Sequence, residues 1–306
     1  EEVIETLPTI ARGFEDFART NPFFSVVPAN DGAAQVTVAG RNNRYNNISI
    51  DGSVNNDLFG LSDSGAPGGQ SQSTPISLDA IQELQLQVAP FDVRYGGFTG
   101  GSINAITRSG SNRFAGSVFY FTRDDGYVGD GPDTFNEFGT FESEQYGFRL
   151  GGPIAQDRAF FFINGEIDDL DEPSGFSIGG STGQNFGHEA EAQRFIDILQ
   201  SVYGFNPGST AEQTLTVESD KAFGRLDFNL ADSHQLTVRH NFIDAGIDIL
   251  RPDNSDFEWP SHTHQILNET NSTVGQLNSV FGANFFNEAR LTYQTVEDRR
   301  TGVGQP

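Results

Sequence analysis

From residue 114 onward, apolar and polar residues alternate in stretches of about ten. Alternation with period two is the mark of a strand with one face on an apolar medium and the other on water. Seven such stretches occur: 114–123, 145–151, 158–168, 221–230, 234–243, 272–281 and 286–296. In the fourth, Ala222, Gly224, Leu226, Phe228 and Leu230 share one face, opposite Phe223, Arg225, Asp227 and Asn229. In the seventh, Ala289, Leu291, Tyr293 and Thr295 oppose Glu288, Arg290, Thr292 and Gln294. The connections between stretches run long, short, long, short, long, short. Long connections at 124–144, 169–220 and 244–271 alternate with turns such as "ADSH" and "GANF". Loops of that length are uncommon in a compact soluble domain. They are expected of a transmembrane β-barrel, whose short turns face the periplasm and whose long loops face outward. The pattern predicts a transmembrane antiparallel β-barrel over 113–306, of which these are the first seven strands. Single-chain bacterial barrels use even strand numbers, so further strands are expected after Pro306.

Charge follows the same division. The chain of 306 residues has a net charge of −24, and the stretches 124–144, 168–220 and 244–269 hold 23 acids and two bases. The expectation is an exposed acidic rim. Lys221 is the lone lysine, which argues against nucleic acid as a partner, because phosphate binding needs a basic face. With no cysteine, neither a disulfide nor a thiolate metal site is possible. The longest purely apolar run is "AFFFI" (159–163), far short of the roughly 20 residues of a spanning helix.

Residues 1–112 read differently. A helical opening leads to short strands in "AAQVTVAG" and "NNISIDGS", the second closed by an Asp-Gly turn. "ISLDAIQELQLQVAP" begins helical and ends as a strand, and "GSINAIT" is another. The spacing predicts a small α/β domain ahead of the barrel. The glycine-rich "YGGFTGG" (95–101) is not a phosphate loop: no Gly-Lys-Ser/Thr follows, and it runs into a strand rather than a helix. Its glycines suit close backbone approach.

The stretch "IQELQLQVAPFDVRYGGFTGGSINAITRSG" resembles the signature of the plug domain of TonB-dependent outer-membrane transporters. With "RYNNISIDGSVNNDLFGL" and "LGGPIAQDRAFFFINGE" it is similar to the Oar-like (OmpA-related) branch of that family. The resemblance implies a barrel of about 22 strands with the α/β plug, residues 1–112, inside it. It also implies residence in the outer membrane of a Gram-negative bacterium, among outer-membrane lipid and lipopolysaccharide. The implied activity is import of a scarce extracellular ligand, energised by the TonB–ExbB–ExbD complex, with no catalytic residues and no cofactor. The alternative is a structural, adhesion or secretion-associated protein acting as a subunit of a surface assembly.

Candidate residues follow. Asn55, Asn56, Asp57, Phe59 and Gln70 form the expected ligand-facing apex of the plug. Asp51, Gly52, Tyr95, Gly96, Gly100, Gly101, Asn104 and Thr107 match the family's plug motif and are expected to be structural. Arg94 and Arg108 are expected to pair with carboxylates of the barrel wall through charge-assisted bonds. Asp124, Asp125, Asp130 and Asp133 form an oxygen-rich cluster that suits structural Ca²⁺, without the twelve-residue loop pattern. An acidic rim favours a cationic or chelated ligand, or a peptide, by steering; peptide is the first choice. A surface lipoprotein is a further candidate partner.

Overall fold

The computed structural model describes residues 12–28, 34–62, 64–88, 99–127, 139–180, 183–250 and 256–302. Two sheets dominate it. The larger is a seven-stranded antiparallel meander: β7 (Ala115–Asp124), β8 (Glu142–Ala155), β9 (Ala159–Pro173), β12 (Thr214–Ala231), β13 (His234–Ile249), β14 (His264–Phe281) and β15 (Phe285–Gly302). Each strand pairs with its neighbours in sequence order, as the short turns at one end require.

The strands outrun the alternation that marked them. The expected connections 124–144, 169–220 and 244–271 shrink to 125–141, 174–213 and 250–263. The physical reason is that backbone pairing does not need apolar side chains. Asp169, Asp171 and Glu172 suggested a loop, yet they continue the ladder opposite Leu215–Glu218. Much of the charge expected on a loop rim therefore stands on strands. Within the second connection lie two short paired strands, β10 (Phe176–Ser177) and β11 (Gln184–Asn185). A helix at Glu189–Ile198 then continues as a wider turn over Leu199–Tyr203.

The smaller sheet has four strands in the order β4 (Ser53–Val54), β3 (Asn47–Ile50), β6 (Gly101–Thr107), β5 (Ile81–Val88). β3 runs parallel to β6, and the other two pairings are antiparallel. The β3–β4 turn is the expected Asp51-Gly52 pair, both with positive φ (46° and 71°), as a two-residue hairpin of this hand demands. A hairpin of β1 (Phe24–Pro28) and β2 (Ala34–Val38) and the helix Phe14–Ala18 complete this inner unit.

The inner unit packs on one face of the large sheet. Ile50, Ile76, Leu78, Ile81 and Ala105 share a buried cluster with Phe162 of β9 and Phe223 of β12. A second cluster, with Phe14, Phe24, Val36, Val38 and Ile103, ties the helix and hairpin to β3 and β6. The glycine-rich loop ends against this second cluster. A Cβ on Gly101 would lie 2.7 Å from both Val38 methyls, and one on Gly100 would lie 2.3 Å from Asn46 Oδ1. These two glycines suit close backbone approach. Tyr95, Gly96 and Arg94 lie outside the described residues.

Candidate functional site

The seam between the inner unit and the wall is polar wherever it is not held by the shared apolar cluster. Its centre is Asp51. The turn places this carboxylate over the end of β6, where it accepts the Thr107 N–H (2.8 Å) and the Thr107 hydroxyl (2.7 Å). From the wall, Arg239 of β13 donates to Asp51 (2.8 Å) and to the Ile50 carbonyl (2.5 Å). Arg225 of β12 donates to the Thr107 carbonyl and hydroxyl (3.1 and 2.9 Å) and is held in turn by both oxygens of Asp227 (2.9 Å each). Arg239 is only 5% exposed. Inner unit and wall thus share one charge network whose partners lie up to 189 residues apart.

Wall arginines take part in this network. Plug arginines on wall carboxylates were anticipated from Arg94 and Arg108. Arg94 lies outside the described residues; two further pairs set wall arginines on inner-unit carboxylates, Arg239 on Asp51 and Arg149 3.7 Å from Asp79. Arg108 donates its backbone N–H to Ala80 O (2.8 Å). Burial raises the Asp79 carboxyl above its ordinary range, although Arg12 and Arg149 pull the other way. Burial likewise raises Glu15, on the helix Phe14–Ala18, to about 7.

Other seam contacts are short and neutral. Ser53 meets Thr292 (2.7 Å), Ser73 meets Ser219 (2.8 Å) and Asn241 donates to Pro75 O (3.0 Å). Ser77 donates to Glu166 (2.6 Å), which lies in a buried wall cluster with Lys221 and Asp168. No sequence pattern marks these serines. They were legible only as small polar residues in a loop.

Of the five residues expected at the apex, two are buried, two are half-buried and one is exposed. Asn55 is buried and accepts from Gln294 (2.6 Å); Asn56 accepts the Ile48 N–H (2.7 Å). Gln70 is buried and accepts from Arg300 (3.3 Å). Asp57 caps its own turn, accepting the N–H groups of Phe59 and Ser62 (3.0 and 2.6 Å). Phe59 stands free at 84% exposed, beside Leu58 at 87% and a half-exposed Leu61. The structure therefore offers an apolar tip on a polar base. That tip lies toward the end of the wall bearing the long connections, since its base meets Gln294 and Arg300 late in β15. Of the motif residues, Asn104 accepts from Gly52 N–H and from Ser49 (2.8 and 2.9 Å), as a structural role requires.

Of the acidic cluster, Asp124 accepts the Gly126 N–H (2.8 Å) and Asp125 lies in the following turn. Asp130 and Asp133 lie outside the described residues. Among the described residues no group of three or more His, Asp or Glu is placed to hold a metal ion.

Residues 106–177 match a family described as an outer membrane beta barrel domain. The chain is 32% identical over 164 residues to the TonB-dependent transporter Oar of Myxococcus xanthus, covering 49% of this chain and 14% of that protein. Over that stretch the chain is a homologue of this transporter. Solved structures agree on the fold. The outer-membrane transporter YddB of Escherichia coli matches 96% of this chain at TM-score 0.66 and 15% identity. The ferric enterobactin receptor PfeA of Pseudomonas aeruginosa matches 94% at 0.61 and 16%. The siderophore receptor PirA of the same organism matches 98% at 0.61 and 14%. The chain spans 38–40% of these three proteins, so its seven-stranded sheet is part of a barrel wall. This transporter homologue is a protein of the Gram-negative outer membrane, and its relatives are transporters and receptors rather than enzymes.

Proposed function

We propose that this chain is the plug and the first part of the barrel wall of an importer energised through TonB, which takes up a scarce ligand from outside. The observation that carries the reading is the seam. The inner unit has its own sheet and much of its own core, and it meets the wall largely through side-chain hydrogen bonds. Such bonds exchange for water at a net cost of about 1 kcal/mol each, so the seat can be broken and remade in use. A continuous apolar seal of the same area would cost far more to expose.

Ligand would arrive between the long connections and meet Leu58, Phe59 and Leu61. A peptide fits best: the tip supplies an apolar contact, and the acidic surroundings draw cationic side chains. Asp51, Arg239 and Arg225 then hold the plug closed.

The test is a reversible lock in the full-length protein. Ser53 Oγ and Thr292 Oγ1 lie 2.7 Å apart, so Ser53→Cys with Thr292→Cys should form a disulfide across the seam. Labelled-peptide uptake by cells should stop when the pair is oxidised and return on reduction, and deletion of TonB should abolish it. Uptake that continues through the oxidised form would refute plug displacement. A protein that supports surface attachment while showing no TonB-dependent uptake would place it among structural surface proteins.

A further inference from the structure

The inward face of the wall carries charge that the Asp51 network does not use. Lys221 of β12, the lone lysine, is buried and donates to Glu166 (2.9 Å) and to Asp168, both on β9. Glu166 is buried as well and also accepts from Ser77 of the plug. The Asp168 side chain alone of the three stays open, at 26% exposed. Lys221 takes its Oδ2, and a carboxylate has about four acceptor positions. Asp168 is therefore the member of the triad that can receive another donor.

Asp168 opens on a cavity of about 510 Å³ between the wall and the plug residues Gln72, Ser73 and Thr74. The later parts of β7 and β9 and the early parts of β8 and β12 border it, so it lies at the end of the wall that bears the long connections. Small-ligand sites measure about 300–1,000 Å³ and are mostly apolar with a few placed polar groups. Phe121, Leu170 and Val217 supply the apolar side here. Arg123 of β7 is the cavity's exposed base. It rests over the Phe141 ring at 5.4 Å, and among the described residues it has no carboxylate in ion-pair range. Register gives the separation of the two charges. Arg123 pairs with Ser143, and Ser143 with Leu170, two residues beyond Asp168. Two strand spacings of about 4.8 Å and two residues of about 3.4 Å set the Cα atoms of Arg123 and Asp168 about 12 Å apart. A peptide of two or three residues, about 7–10 Å long when extended, is on that scale; a single amino acid is too short.

We propose that this cavity binds a short zwitterionic peptide with an apolar side chain, its ammonium on Asp168 and its carboxylate on Arg123. It adds a site between plug and wall to the import reading and rests on that reading for the ligand class alone; binding itself needs no TonB. The test is calorimetric titration of the full-length protein in detergent with the tripeptide Ala-Leu-Ala. The free peptide should bind, and acetylating its amino end or amidating its carboxyl end should each weaken binding about tenfold or more, as loss of a charged hydrogen bond does. Arg123→Gln should weaken the free peptide to the same degree and leave the amidated one unchanged. Asp168→Asn should weaken the free peptide and leave the acetylated one unchanged. Arg123 is exposed and stands apart from the Lys221 triad, so its replacement leaves the fold intact. Three results would overturn the proposal: no binding at about 1 mM, free and blocked peptides that bind alike, or an Arg123→Gln variant that binds all three as the unaltered protein does. Uptake by cells keeps the two readings apart. Binding that depends on Arg123 without TonB-dependent uptake upholds the cavity and refutes import, whereas uptake and binding both indifferent to Arg123→Gln refute the cavity and uphold import.

Discussion

Consider the loss of the Asp51 carboxylate. In the structure it accepts the Thr107 N–H, the Thr107 hydroxyl and Arg239 Nη1 at 2.7–2.8 Å. Arg225 keeps Asp227 when Asp51 is removed, but Arg239, 5% exposed, keeps only the Ile50 carbonyl among its described hydrogen bonds. Asp51→Ala thus strands a buried guanidinium, which costs about 3–5 kcal/mol when one partner of a buried pair is deleted. Arg239→Ala strands Asp51 less severely, because Thr107 still donates twice; about 2–3 kcal/mol follows from losing charged hydrogen bonds. The double variant has no buried charge left to strand, so its cost should fall short of the sum by 1 kcal/mol or more. The assay is urea unfolding of the full-length protein in detergent, read at the plug by hydrogen exchange of Thr107 and its neighbours in β6. Additive losses, or a β6 that exchanges no faster in Asp51→Ala, would refute the claim that this pair holds the plug.

Other consequences are simpler to state. Gly101→Val should unseat the β1–β2 hairpin, since even a Cβ there meets both Val38 methyls at 2.7 Å; overpacking of this kind costs about 1–3 kcal/mol, visible as faster proteolysis before residue 40. Burial holds the Glu15 carboxyl at about 7 against an ordinary 4.5. A carboxyl raised on folding favours the folded state while protonated, so its contribution is complete below pH 4.5 and is lost as pH rises to about 7. Hydrogen exchange of the helix Phe14–Ala18 should quicken across that window, and Glu15→Gln should flatten the dependence. Trp259 touches Phe195 and Phe257 at ring-centroid distances of 5.4 and 5.3 Å, joining the second and third long connections. At about 0.5–1.5 kcal/mol per aromatic pair, Trp259→Ala should cost about 1–3 kcal/mol locally, seen as exchange in 189–203 with the barrel unaffected.

The wall was legible because lipid imposes a strict rule. Leu226, Val238 and Leu291 must alternate with polar neighbours, and the alternation survives in the one-dimensional chain. Strand ends were less legible, because beyond the hydrocarbon the rule lapses and Asp169 or Glu269 looks like loop. Strand β1 was missed: "FSVVP" is short, carries a proline, and owes its pairing to β2 rather than to its own pattern. The Asp-Gly turn was plain from local chemistry. The partner of its carboxylate was not, since Arg239 lies 188 residues away and nothing in its surroundings distinguishes it from a solvated arginine. The contacts of the apex residues were hidden for a related reason. Asn55 and Gln70 looked free because their partners, Gln294 and Arg300, sit on the last described strand.

Arg12 sits ahead of the first helix, bonded to Asp79 at 2.9 Å and resting over the rings of Phe119 and Phe121 at 4.7 and 4.6 Å. Among the described residues, tension entering from the amino-terminal side reaches this clip first. Beyond it the load passes into the greasy grip on Phe14 and Val36 and only afterwards into the Asp51 turn. Rupture is therefore sequenced, like a zip fastener with its strongest tooth set deepest, and a weak tug could free the leading helix while the doorway stays shut.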